Sequence, residues 1–346
     1  MYENDTSTVT NALRGANPTV FSDSTINDIL KLTTKTGDTT VSFETARPDA
    51  SGNVTVPSGA EVVLVASSDT TQTIVPPKNA PVVIFQGKGG VVTTLNDGVT
   101  VPGSDQTKVD RVVVGSAGND KIIVQDARNT KVILGTGDST ITTGGGVDTV
   151  QAGLGNSTIV GGSGDYAVVK LGGSATNYNV SVNNGHAVLT DKTTNKVTDI
   201  TKIQYVQLDN NKAMVFAKDS VEAAVANLYQ TALGRDADAG GLDFWFDVGR
   251  AGVTLKQIAD AFTRSPEFAK FAALSDRQFV QGLYQNAFGR AGEDSGVNFW
   301  TDALANGSTR ADVIVQFAQI GAMNIAGTIQ TEAQVIGSVK IVSGII

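Results

Sequence analysis

Six nine-residue units between Gly115 and Val169 place oxygen-bearing side chains at two adjacent positions of a repeating turn. The fifth position carries Asn119, Asn129, Asp138, Asn156 and Asp165, and the sixth carries Asp120 and Asp148. Units two apart stack in a coiled chain, so Asn119, Asp138 and Asn156 are expected along one edge. Asn129, Asp148 and Asp165 are expected along the other. Carboxylate, amide and backbone oxygens suit a hard cation, which makes Asn119, Asp120, Asp138, Asp148, Asn156 and Asp165 the candidate metal ligands. The alternative is a metal-free coil whose turns are held by Asn and Thr hydrogen-bond ladders.

The elements that must position these residues follow from the same register. The chain reads GSAGNDKII from Gly115, QDARNTKVI from Gln125, and then LGTGDSTIT, TGGGVDTVQ, AGLGNSTIV and GGSGDYAVV without interruption from Leu134. The eighth position is always apolar: Ile122, Val132, Ile141, Val150, Ile159 and Val168. The fourth is Gly118, Gly137, Gly146, Gly155 and Gly164, with Arg128 as the exception. Glycine is expected there to supply turn conformations closed to other residues. The apolar position is expected to point inward and form a continuous column as coils stack. This stretch resembles the RTX (repeats-in-toxin) nonapeptide GGxGxDxUx, with U apolar. The resemblance implies Ca2+ held between windings, although Thr130, Ser139, Ser157 and Tyr166 replace the sixth-position Asp in four units.

Before the repeats, residues 1–110 are rich in Thr, Ser and Val. Runs such as Glu61–Ala66 and Pro81–Phe85 read as buried strands between Gly, Pro and Asn turns. A short helix is expected near Ser24–Lys31. After the repeats, alternating stretches around Asn177–Val182, Ala187–Asp191 and Ile203–Asp209, with a hairpin signal at Asn183-Asn-Gly, predict a β-segment capping the coil. His186, the lone histidine, lies beside that turn and reads as a surface residue.

From about residue 219 the period becomes helical, and a second repeat appears at a shift of 55 residues. NLYQTALGRDADAGGLDFW (227–245) matches GLYQNAFGRAGEDSGVNFW (282–300). The pattern resembles a domain of unknown function that recurs near the C-termini of RTX-type, S-layer-like and other secreted bacterial proteins. Trp245 and Trp300 are expected to anchor the two cores, and Arg235 and Arg290 to pair with the carboxylates that follow them. The loop from Asp236 has Gly241 at its sixth position, as an EF-hand does, but no side chain at its fifth and Asp247 at its twelfth. It reads as a helix-capping turn.

The expected fold is therefore multidomain: an N-terminal β-rich domain (1–110), a short parallel β-roll or solenoid with a β cap (111–217), and a C-terminal all-α repeat domain (218–346). With no Cys and one His among 346 residues, disulfides and Cys- or His-rich zinc sites are excluded. A net charge of −8 with no basic cluster excludes a nucleic-acid partner, and no apolar run reaches the roughly 20 residues needed for membrane insertion. No GxSxG, HExxH or Walker pattern occurs, so the expectation is a non-enzyme. The start of the sequence lacks a leader pattern, and the apolar run 333–346 reads as a final strand or a C-terminal export signal. The functional expectation is a secreted, extracellular or cell-surface protein that assembles with itself in a Ca2+-dependent way into a surface layer or matrix fibre. Subunit contacts would run through Ser7–Phe21 and Val335–Ile346. The alternative is an adhesin that binds cell-surface polysaccharide through residues 1–110.

Overall fold

A computed structural model describes residues 2–16, 21–34, 40–162, 164, 166–183, 186–326, 334–336 and 339–343. The chain forms two compact units, Met1–Leu171 with Val188–Ile203, and Gly172–Ala187 with Gln204–Ile346.

In chain order the strands of the first unit are β1 (Tyr2–Asp5), β2 (Thr40–Ala46), β3 (Val62–Ala66), β4 (Gln72–Thr73), β5 (Val82–Gln86), β6 (Val91–Leu95), β7 (Arg111–Val114), β8 (Lys121–Val124), β9 (Thr130–Ile133), β10 (Ser139–Thr142), β11 (Asp148–Gln151), β12 (Ser157–Val160) and β13 (Ala167–Lys170). The two strands flanking residues 184–185, which lie outside the described residues, are β14 (Tyr178–Asn183) and β15 (His186–Asp191); β16 (Val197–Thr201) follows. Odd-numbered strands β3 to β13 pair in parallel in one sheet, and β4, β6, β8, β10, β12 and β16 pair in parallel in another. A chain that alternates between two parallel sheets is a solenoid, and each coil contributes one strand to each wall.

The interior is two columns of branched side chains. In one wall Val63, Val83, Val113, Val132, Val150 and Val169 are in register and buried. In the other, Thr93, Ile122, Ile141, Ile159 and Ile200 stand above one another. Full burial of each Val or Ile is worth roughly 1.5–3 kcal/mol. The eighth-position prediction therefore holds for five units and slips in the sixth. There Thr149 pairs with Val168 and Val150 with Val169, so Val169 continues the column. A one-residue slip exchanges the two faces of a strand, and the sixth unit has that slip.

The glycine expectation is also corrected. None of Gly118, Gly137, Gly146, Gly155 or Gly164 has a left-handed backbone. What excludes a Cβ is the coil beneath: at Gly137 it would lie 2.2 Å from the Gly118 carbonyl oxygen, and at Gly155 2.2 Å from that of Gly137.

The solenoid does not begin at 111. Strands β5 and β7 pair, as do β6 and β8, so the stack passes through the boundary drawn from the repeats without a break. The coil between β6 and β7 is longer than its neighbours, and the loop 96–110 carries the excess. Where the loop ends, Arg111 makes a bidentate pair to Asp126 (2.8 and 2.9 Å) and a bond to Thr130 Oγ1 (2.9 Å) with its side chain 3% exposed, and it reaches the loop's Asp97 at 3.3 Å. Arg128 pairs with Asp97 and donates to the Asp110 carbonyl at 2.6 Å. This explains why Arg128 stands where the other units have glycine: its turn meets the long loop, and its side chain holds that loop down.

Two helices, α1 (Thr6–Ala16) and α2 (Asp23–Thr33), cover the outer face of the first wall. Val9, Leu13, Ile26 and Ile29 recur at three- and four-residue spacing and pack on Val62, Val82, Ile84, Val112 and Val114. Ser22 caps α2 by accepting from the Thr25 amide, and Lys131 pairs with Asp28 at 2.6 Å. The expected helix near Ser24–Lys31 is α2. The expected assembly strand Ser7–Phe21 is overturned, because its described part is largely the helix α1, whose apolar stripe is already buried.

The second unit contains β17 (Tyr205–Gln207), β18 (Ala213–Ala217), β19 (Gln334–Ile336) and β20 (Val339–Ser343), in the order β17-β18-β20-β19. Its helices are α3 (Ser220–Leu228, continued by a π-helical turn over Tyr229–Leu233), α4 (Ala239–Arg250), α5 (Leu255–Arg264), α6 (Ala269–Ala272), α7 (Asp276–Phe288), α8 (Asp294–Ala305) and α9 (Arg310–Ala326). The β-then-α layout expected from the sequence is the one observed.

The duplication is visible as geometry. Tyr229–Phe262 and Tyr284–Phe317 meet edge-on with centroids 4.9 Å apart in both copies, and Trp245–Phe262 and Trp300–Phe317 lie at 5.4 Å in both. A Cβ on Gly241 or Gly296 would strike the Tyr229 or Tyr284 hydroxyl at 2.3 or 2.4 Å. The Phe and Tyr rings are the buried anchors, and the two Trp residues are half-buried against them. Arg235 and Arg290 lie over the Tyr229 and Tyr284 rings and approach Asp238 and Glu293, three residues on.

Candidate functional site

The six predicted ligands fall into two geometrical classes. The fifth-position residues form a ladder along one solenoid edge. Asn119 Oδ1 accepts from the Asp138 amide (2.8 Å), Asp138 Oδ1 from the Asn156 amide (2.8 Å), and Asn156 Oδ1 from the Val197 amide (2.9 Å). On the other edge Asn129 Oδ1 accepts from the Val147 amide at 2.9 Å. Asp165, the remaining candidate there, lies outside the described residues. Each rung satisfies an amide of the next coil, and a turn amide left without a partner costs about 1–3 kcal/mol when buried.

The sixth-position carboxylates lie deeper. Asp120 accepts from the Val91 amide (2.8 Å), the Ser116 amide (2.8 Å) and Ser116 Oγ (2.6 Å). Asp148 accepts from the Thr130 amide (2.9 Å) and the Gly144 amide (2.6 Å). The two constellations are equivalent. Each carboxylate joins the second residue of its own unit to the start of a strand in the preceding coil. Burial raises both acids above the ordinary carboxylate range, Asp148 to about 6, despite the amides that favour its ionised form.

The structure thus brings Asn119, Asp138 and Asn156 together on one edge, as the spacing predicts, and turns their Oδ1 atoms toward backbone amides. A Ca2+ shell needs six to eight oxygens around one point. Among the described residues no three His, Cys, Asp or Glu side chains converge in that way. Asp120 and Asp148 are buried with their oxygens already facing N–H donors. Among the described candidates the fit to a cation is poor, and the geometry is that of the hydrogen-bonded coil.

In the helical unit, the Asp236 loop caps a helix: Asp238 Oδ1 accepts from the Gly241 amide at 2.8 Å at the start of α4. The sequence reading missed a cavity beside Trp300, bordered by Lys256, Asp312, Gln316 and Gln319. The signal for it lay in the positions at which the two 55-residue copies differ.

Residues 213–271 and 269–320 each match a domain of unknown function, DUF4214. The two matches cover the two helical copies. No curated protein and no solved structure matches the chain. Among the described residues no helix is long and apolar enough to cross a membrane.

Proposed function

We propose that this is a secreted, non-catalytic structural protein that associates with copies of itself, through the edge strands of its sheets, into a surface layer or matrix fibre. The observation that carries the reading is the pair of edge strands that the strand order leaves among the described residues. Strand β1 ends the strand order in the first unit, bonded to β2, and β19 ends it in the second, bonded to β20. An edge strand offers a row of backbone donors and acceptors to any strand laid beside it. Pairing of two different edges gives a head-to-tail contact, which propagates unless the rotation closes a ring. The solenoid supports the reading as a stiff spacer, since its turn residues are spent on joining coil to coil. The likeness of its repeats to the RTX nonapeptide favours an extracellular setting.

The test is sedimentation velocity with negative-stain imaging of the full chain over a range of concentrations, in Ca2+ and in chelator. Ordered, concentration-dependent assemblies are expected, and a chain without residues 1–5 should remain small. Monodisperse particles in every condition would overturn the proposal. Because the described ladder residues Asn119, Asp138 and Asn156 spend Oδ1 on backbone amides, assembly in chelator is expected as well.

A further inference from the structure

The second helical copy departs from the first where a cavity of about 500 Å³ opens beside Trp300. Trp300 is half-buried, held by the edge of Phe299 (4.9 Å) and by Phe317 (5.4 Å). Lys256 and Asp312 are the charged residues of the lining. They stand 2.8 Å apart, and Lys256 also donates to Thr309 Oγ1 at 3.1 Å. Their charges cancel within the cavity, and the pair holds Asp312 at about 2. The remaining polar lining includes the Ser308 hydroxyl and the Gln316 and Gln319 amides.

The duplication sharpens the point. Fifty-five residues earlier, Ser308, Asp312, Gln316 and Gln319 correspond to Val253, Gln257, Ala261 and Arg264. The residues that build the aromatic centre are kept in both copies, so folding accounts for them. The neutral hydrogen-bonding set belongs to the second copy alone.

We infer that this cavity binds a neutral sugar unit of a polysaccharide. An indole matches the apolar C–H face of a pyranose ring, and planar amides with a hydroxyl match its equatorial hydroxyls, each able to donate and accept. A charge-balanced lining gives no advantage to a phosphate or a uronate, either of which would call for an unpaired cation. The site is independent of the edge strands, so its failure and the failure of self-assembly are separate results.

The experiment titrates the full chain, at concentrations where it sediments as a monomer, with cellohexaose, maltohexaose, mannohexaose and chitohexaose. A hyaluronan hexasaccharide serves as the charged probe, and calorimetry and tryptophan fluorescence are the readouts. At least one neutral hexasaccharide should bind saturably. The double variant Gln316→Ala/Gln319→Ala, checked for unchanged circular dichroism, should weaken binding by about tenfold, and Trp300→Ala by more. Trp245→Ala removes the same ring from the first copy, and should change affinity less than about twofold. The inference is overturned if none of the neutral hexasaccharides binds, if the hyaluronan fragment binds as well as they do, or if the double variant binds like the native chain.

Discussion

In the solenoid each nine-residue unit rests on the backbone of another unit, whereas in the helical region each 55-residue copy carries an aromatic centre of its own. Gly137 cannot gain a methyl group without meeting the Gly118 carbonyl. Phe262 and Phe317, by contrast, sit at matching distances from Tyr and Trp of their own copies. Stacked repeats distribute stability over contacts between neighbours, while globular repeats concentrate it in a few large side chains. A lesion in the first should spread along the stack, and one in the second should stay within the helical unit, whose two copies share one core.

The largest expected effect tests containment. Phe262→Ala and Phe317→Ala should each destabilise the helical unit by about 3–5 kcal/mol. Thermal melting followed by circular dichroism should show the helical signal moving while the β-signal keeps its midpoint. If both signals move together, the two regions do not behave as separate units.

Gly137→Ala tests the stack. The clash is with backbone, which cannot rotate away, so a loss of about 1–3 kcal/mol or more is expected. Gly103, with nothing within 4 Å of a built Cβ, provides the control. Gly103→Ala should stay within about 0.5 kcal/mol in a denaturant titration.

The third prediction concerns pH. Below about pH 4 Asp148 is protonated in both folded and unfolded chains. Between there and about 6 the folded chain retains a proton that the unfolded chain has released, so stability falls as pH rises. Asp120 contributes a slope of the same sign. Asp5 and Asp312, held at about 2, act in the opposite sense, but their effect is complete by pH 4. Melting temperatures from pH 4 to 7 should therefore fall more for the native chain than for Asp148→Asn.

The smallest effect belongs to the ladder. Asp138→Ala removes one rung on an exposed edge and should cost about 0.5–1.5 kcal/mol, read from the midpoint of urea unfolding. A larger loss, or one that depends on added Ca2+, would show that the edge does more than join coils.

How far the sequence spoke depended on whether a period was maintained. From Leu134 onward the nine-residue register placed β10, β11 and β12 and the inward column through Ile159. It failed at Val168, where one extra residue before β13 exchanged the two faces. In sequence the earlier coils look like strands of another domain, because Val62 pairs with Val82, and Val82 with Val112, at offsets that share no common period. The spacing brings Asn119, Asp138 and Asn156 to one edge, but what their oxygens bind was not legible. An Asn or Asp at a turn offers the same oxygen to a cation or to an amide, and only the position of the next coil's N–H decides between them. The cavity beside Trp300 escaped because its polar residues are scattered along α9 and the start of α5, without a motif.

The loop 96–110 has a consequence for how such a protein can vary. It replaces a tight turn with a long excursion, and the strands on either side keep their register. Arg128 and Asp126 hold its Asp97 and Asp110 backbone from the neighbouring coil, and Arg111 pairs with Asp126 where the loop ends, so the register on both sides is kept. Its tip carries Val101, 72% exposed. A solenoid edge with this fastening is a grafting port: new sequence can be inserted, tried and discarded at one coil without renegotiating the packing of any other.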